Sequence, residues 1–148
     1  RDVPRVLLVE DNDINALLAR RVLERSGCNV VHCPDGRCAV ERATAVLQHQ
    51  DDAFDLVLMD IFMPGIDGVA AAAEIRAAFA ASATASRPPI VALAANAFPE
   101  DRARYTAEGF DDYLAKPFDA SGLAALLRRW LTMRGPGSDE APRQRSNA

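Results

Sequence analysis

Four residues in this chain are of types, and stand at places, that could do chemistry together. Glu10 and Asp11 directly follow the apolar run 5–9, Asp60 follows the run 55–59, and Lys116 follows 113–115. If these runs are neighbouring parallel strands, three carboxylates and one ammonium converge on one edge of a sheet. Carboxylates brought together raise each other's proton affinity unless a cation relieves the conflict. A divalent ion is therefore implied, and Mg2+ suits the set because it takes oxygen ligands, keeps several waters and needs only one or two protein carboxylates. Asp11 and Asp60 would bind it directly, and Glu10 through water. A carboxylate can also act as a nucleophile that accepts a phosphoryl group as an acyl phosphate. The ion and Lys116 would then neutralise charge on the transferring group. Asp60 is the candidate acceptor.

The elements that must position these residues follow from periodicity. Short apolar runs alternate with helical patterns, the signature of βα units and a parallel sheet. Strands are expected at 5–9, 29–32, 56–59, 90–93 and 113–115. After the first, Ile14, Leu17, Leu18 and Val22 recur at helical spacing, with Asn12 or Asp13 as N-cap and Gly27 as the stop. A second helix is expected over 35–48, with Val40, Ala43 and Leu47 inward. A third carries Ala72, Ile75 and Phe79 on one face. Residues 82–89 read as a loop because small polar residues and two prolines cannot continue a helix. The fourth helix is expected to open at Pro99, with Glu100 and Asp101 near its positive end, and to stop at Gly109. Leu123, Leu126, Leu127, Trp130 and Leu131 form the apolar stripe of the last helix. An open parallel sheet binds ligands beyond the carboxyl ends of its strands, where Glu10, Asp11, Asp60, Ala94 and Lys116 all fall.

With 148 residues, 49% of them hydrophobic, the chain is long enough for one core and short for two domains. Its net charge of −4 argues against a broad electrostatic grip on nucleic acid or anionic lipid. No apolar stretch approaches the roughly 20 residues that span a bilayer, and no leader pattern opens the chain, so a cytoplasmic domain without membrane contact is expected. Cys28, Cys33 and Cys38 are spaced five apart, which matches no usual zinc or Cys-x-x-Cys pattern. Ordinary buried thiols are expected. Residues 1–4 read as a linker or tether, 5–133 as the domain, and 134–148 as a disordered polar tail with too little apolar surface to fold.

Three segments carry a family resemblance: Val6-Leu7-Leu8-Val9-Glu10-Asp11-Asn12, then Leu56-Val57-Leu58-Met59-Asp60-Ile61-Phe62-Met63-Pro64-Gly65-Ile66-Asp67-Gly68, then Asp112-Tyr113-Leu114-Ala115-Lys116-Pro117-Phe118. In order and separation they resemble the signatures of response-regulator receiver domains, and details such as Ala95-Asn96-Ala97 are most like the receivers of hybrid sensor histidine kinases. The resemblance implies a flavodoxin-like (βα)5 three-layer sandwich with parallel sheet order 2-1-3-4-5. It implies a phosphorelay function in which Asp60 accepts a phosphoryl group from phosphohistidine. Asp11, Asp60 and the backbone carbonyl of Phe62 would bind Mg2+, with Glu10 assisting through water. Lys116 and the backbone N–H of Ala95 would bind the phosphate, and Tyr113 occupies the place of the aromatic switch. The partner would be a histidine kinase or a histidine phosphotransfer protein, docking on Ile14, Asn15, Leu18 and Phe118. The surface from the fourth helix to the last would serve output and homodimerisation. As an isolated domain the chain would be a phosphoacceptor whose transfer is self-catalysed, either standing alone or excised from a hybrid histidine kinase.

One position departs from the family. Ser or Thr is usual after the fourth strand, where its hydroxyl bonds the phosphate; here the residue is Ala94. The alternative is thus a receiver-fold interaction module whose output is weak or independent of phosphorylation. Phe62 is also unusual, and its ring is a candidate shield for an acyl phosphate. Two other readings are weaker. Asp11-Asn12-Asp13 resembles the Asp-x-Asp pair of haloacid-dehalogenase-type enzymes, but the chain is short for a cap domain. A calcium loop from Asp11 lacks the glycine and glutamate it needs, with Ala16 and Val22 in their places.

Overall fold

A computed structural model describes residues 3–49, 53–61, 67–82, 87–95, 98–116 and 118–131. Five parallel strands, β1 (Arg5–Val9), β2 (Asn29–Cys33), β3 (Leu56–Asp60), β4 (Ile90–Ala94) and β5 (Asp112–Ala115), form one sheet in the order β2-β1-β3-β4-β5. The three central strands are apolar along almost their whole length because helices cover both faces, the usual condition of a parallel sheet. One face packs Val6, Leu8, Leu58 and Leu93 under α1 (Asp13–Arg25) and α6 (Ala120–Trp130). The other packs Leu7, Val9, Val57 and Met59 under α2 (Gly36–Thr44), α3 (Val46–His49), α4 (Gly68–Ala80) and α5 (Arg102–Ala107). This is the expected three-layer flavodoxin-like sandwich.

Caps set where the helices start. Asn12, Asp35, Asp67 and Asp119 each accept a hydrogen bond from the backbone N–H three residues on, which satisfies one of the orphan donors of the first turn. Gly27 and Gly109 stop α1 and α5 in the left-handed region, at φ +90° and +106°. The expected helix 35–48 is instead broken at Ala45. The Thr44 hydroxyl donates back to Val40 O at 2.7 Å, and the Ala45 N–H bonds Arg42 O, three residues back, so the turn tightens and α3 starts afresh. Pro99 opens a 3-10 turn, Pro99–Asp101, and the α-helical part begins only at Arg102.

Ile14, Leu17 and Leu18 are 69%, 51% and 53% exposed, while Ala16 and Leu23 face the core. Both sets recur at helical spacing, so periodicity alone cannot choose between them. The expectation of ordinary free thiols is corrected. Cys33 and Cys38 form a disulfide with Cα atoms 5.6 Å apart, and Cys28 is buried and free. Among the described residues, no helix is long and apolar enough to cross a membrane. The tail 134–148 lies outside the described residues.

Candidate functional site

Strand register builds the site. Val9 pairs with Met59, so Glu10 and Asp60 leave the sheet side by side; Asp60 pairs with Leu93, and Ala94 with Ala115, so Lys116 follows on the far side of β4. The carboxyl oxygens of Glu10, Asp11 and Asp60 lie within 4.8 Å of one another. Glu10 and Asp60 are buried and Asp11 is exposed. Lys116, the chain's only lysine, reaches across from β5 and donates to Asp60 Oδ2 at 3.1 Å and to Glu10 Oε1 at 3.2 Å.

The groups around Glu10 fix it from four sides. Its Oε2 accepts the Asn12 N–H at 3.2 Å, its own N–H donates to Cys33 O at 3.0 Å, and its carbonyl lies 2.8 Å from His32 Nε2. Since a carbonyl only accepts, His32 carries its proton on Nε2 in this arrangement. Burial pushes the Glu10 carboxyl above its ordinary value; Lys116 pulls against that, and the Asp60 charge adds to it. Burial alone would lower the Lys116 pKa, but the hydrogen bond and charge of Asp60, joined by Glu10, outweigh it and raise it. The ammonium is thus held charged between two carboxylates. Three carboxylates against one ammonium leave an excess of negative charge, and the oxygen donors suit a hard divalent cation.

The remaining expected residues fall around this cluster. Ala94 is buried at the end of β4, where its carbonyl accepts the Lys116 N–H at 2.9 Å, and Ala95 is exposed beyond it. Tyr113 is half-buried, its ring centroid 5.8 Å from that of buried Tyr105, with the Arg102 guanidinium 5.6 Å from its own centroid. Asn15, Leu18 and Phe118 line an open groove of about 730 Å³ that reaches Glu10 and Lys116, and Ile14 stands exposed on the same helix. Phe62, Asn96, Ala97 and Pro117 lie outside the described residues. Gly68 was not singled out from sequence. A Cβ there would overlap the Asp60 carbonyl oxygen and lie 2.7 Å from Ile61 Cα, so the start of α4 is pressed against the end of β3. The signal available was the Asp67-Gly68 pair, which reads equally as a plain turn.

Comparison with known proteins agrees with this geometry. The model of the response regulator receiver domain matches residues 6–128. The chain is 42% identical over 138 residues to sensor protein GacS of Pseudomonas syringae pv. syringae, a match that covers 92% of this chain and 14% of that protein. The chain therefore spans about a seventh of that relative's length. The receiver domain of sensor histidine kinase PA1611 from Pseudomonas aeruginosa PAO1, solved with a magnesium ion coordinated in the active-site cleft, is 38% identical at a TM-score of 0.70, with 86% of this chain and 97% of that chain covered. The co-crystal structure of the Saccharomyces cerevisiae histidine phosphotransfer signaling protein Ypd1 with the receiver domain of its response regulator Ssk1 matches at 26% identity and a TM-score of 0.74, over 89% of this chain and 91% of that chain.

Proposed function

Because the chain belongs to the response regulator receiver domain family, we propose that it is a phosphorelay receiver whose Asp60 accepts a phosphoryl group from a phosphohistidine. One observation carries this reading. The buried Asp60 carboxylate stands among Glu10, Asp11 and Lys116 at the carboxyl edge of the sheet, within reach of two further carboxylates and bonded by an ammonium. Asp60 Oδ attacks phosphorus, the P–N bond to imidazole breaks, and an acyl phosphate forms. Asp11 and Asp60 would hold Mg2+, with Glu10 acting through water and the Phe62 carbonyl completing the protein ligands. A magnesium ion bound there neutralises charge on the phosphoryl oxygens. Lys116 follows the charge from the free carboxylate to the phosphate, while Glu10 keeps it oriented. The Ala95 N–H supplies a further donor.

The groove beside α1 is assigned to the donor, a histidine kinase or a histidine phosphotransfer protein. Ile14 and Leu18 offer the exposed apolar contact, and Asn15 and Phe118 border the path to Asp60. The face made by α5, β5 and α6, including Tyr113, is assigned to output and self-association. We place the domain in the cytoplasm as part of a longer sensor kinase; its match to a sensor protein over 14% of that protein's length supports the second assignment. The complete acidic cluster and Lys116 favour a phosphoacceptor over an interaction module that works without phosphorylation.

The test is intact-mass measurement after incubation with Mg2+ and a small-molecule phosphodonor. One phosphoryl adduct is expected in the wild type and none in Asp60→Asn. Folded protein that gains no adduct from that donor, nor from a phosphohistidine protein, would refute the proposal.

A further inference from the structure

The disulfide is joined to the acidic cluster through the Cys33 main chain, although the function above makes no use of it. Cys33 is the last residue of β2 and fully buried, and Cys38 sits in the first turn of α2, half-buried. Their Cα separation of 5.6 Å lies within the range a bridge requires. The bridge closes the short loop 34–37, in which Asp35 caps α2 by accepting the Cys38 N–H at 2.8 Å. Cys33 also touches the site, since its carbonyl accepts the Glu10 N–H at 3.0 Å, and the neighbouring His32 ring meets the Glu10 carbonyl. Cys28 belongs to the core on the opposite face of the sheet, so it cannot exchange with the pair.

We propose that Cys33 and Cys38 are a reversible thiol-oxidation site whose state is transmitted to the backbone of Glu10. The oxidant is a small-molecule disulfide of the glutathione type. The more accessible Cys38, as thiolate, attacks one sulfur of that disulfide, forming a mixed disulfide and releasing one thiolate. The Cys33 thiolate then attacks the Cys38 sulfur and releases the second. Two protein thiols give up two electrons and two protons, and one small-molecule disulfide becomes two thiols. A dithiol reductant reverses the sequence. On reduction the two sulfurs retreat from bonding to van der Waals distance. In a close-packed interior that displacement passes into the Cys33 main chain and so into its hydrogen bond with Glu10.

The experiment equilibrates folded, metal-free protein in glutathione buffers of graded redox poise, quenches with acid, and alkylates after unfolding. One adduct, on Cys28, is expected at the oxidising end and three at the reducing end, with a return to one on re-oxidation. The amide resonance of Glu10 should shift between the two states while that of Leu126, in the opposite core, stays in place. Cys38→Ser should abolish both responses; the wild-type series stands alone should that variant misfold. Three adducts throughout, one adduct that survives a strong dithiol on folded protein, or an unmoved Glu10 resonance would each overturn the proposal. Neither phosphodonor nor metal is used, so a failure of the phosphoacceptor reading leaves this result untouched.

Discussion

Lys116 holds the site together in the structure by bonding Asp60 and Glu10 at once, so the ammonium is already in place before any phosphate arrives. What the site lacks is the hydroxyl at position 94. Ala94 is buried at the carboxyl end of β4 and offers only a methyl group. A charge-assisted hydrogen bond contributes about 1.5–3 kcal/mol, enough to move a two-state population ten-fold or more. Ala94→Thr should therefore strengthen the coupling between Asp60 phosphorylation and burial of Tyr113, read as tyrosine solvent accessibility with and without phosphodonor. An unchanged response in the variant would mean that Tyr113 is governed by its contacts with Tyr105 and Arg102 instead.

Between elements, β3 and the start of α4 meet with no room for a side chain at Gly68. Gly68 donates its N–H to Ile61 O at 3.3 Å, and it has no room for a side chain over the Asp60 backbone. Gly68→Ala should destabilise the fold by about 1–3 kcal/mol, the usual cost of overpacking, and lower the rate of adduct formation because Asp60 is displaced. Urea titration and a phosphorylation time course check the two effects. Normal stability and rate together would show that α4 can simply step back. A second junction ties α6 to β5. Buried Asp112 accepts from Trp130 Nε1 at 2.9 Å, from the Tyr113 N–H at 2.8 Å and from the Arg129 guanidinium, which orients the last helix over the sheet. Arg87 and Asp111, paired at 2.7 Å, secure the start of β4 in a similar way, since Asp111 also accepts the Ile90 N–H.

For the whole molecule, a buried thiol and a partly buried ammonium set the alkaline limit of stability. Burial, with the Asp55 charge, raises the Cys28 thiol above 9.0. Above pH 9.0 the unfolded chain releases this proton and the folded chain keeps it, so stability falls as pH rises. Lys116 is raised above 10.5, so its contribution is fully present below 10.5 and is lost as pH climbs through its folded value. Thermal unfolding across pH 8–11 should show stability falling from about pH 9 in the wild type. In Cys28→Ala the fall should begin nearer 10.5. The same onset in both proteins would exclude the thiol as its cause.

The strands, their order along the chain and the acids at their ends were legible in the sequence. Apolar runs and helical spacing are local properties, and a parallel sheet sends the residue after each strand to one edge. That is enough to bring Glu10, Asp11, Asp60 and Lys116 to one edge. Three features needed the tertiary structure. Lys116 bonds Glu10 as well as Asp60 because of the register between β1, β3, β4 and β5, which no single segment encodes. Ile14, Leu17 and Leu18 face outward because α1 is apolar around a wide arc, and packing through Ala16 and Leu23 decides its rotation. Cys33 and Cys38 pair because the turn capped by Asp35 brings the first turn of α2 back against the end of β2. A five-residue spacing is compatible with contact or with separation, and only the path of the chain between them selects one.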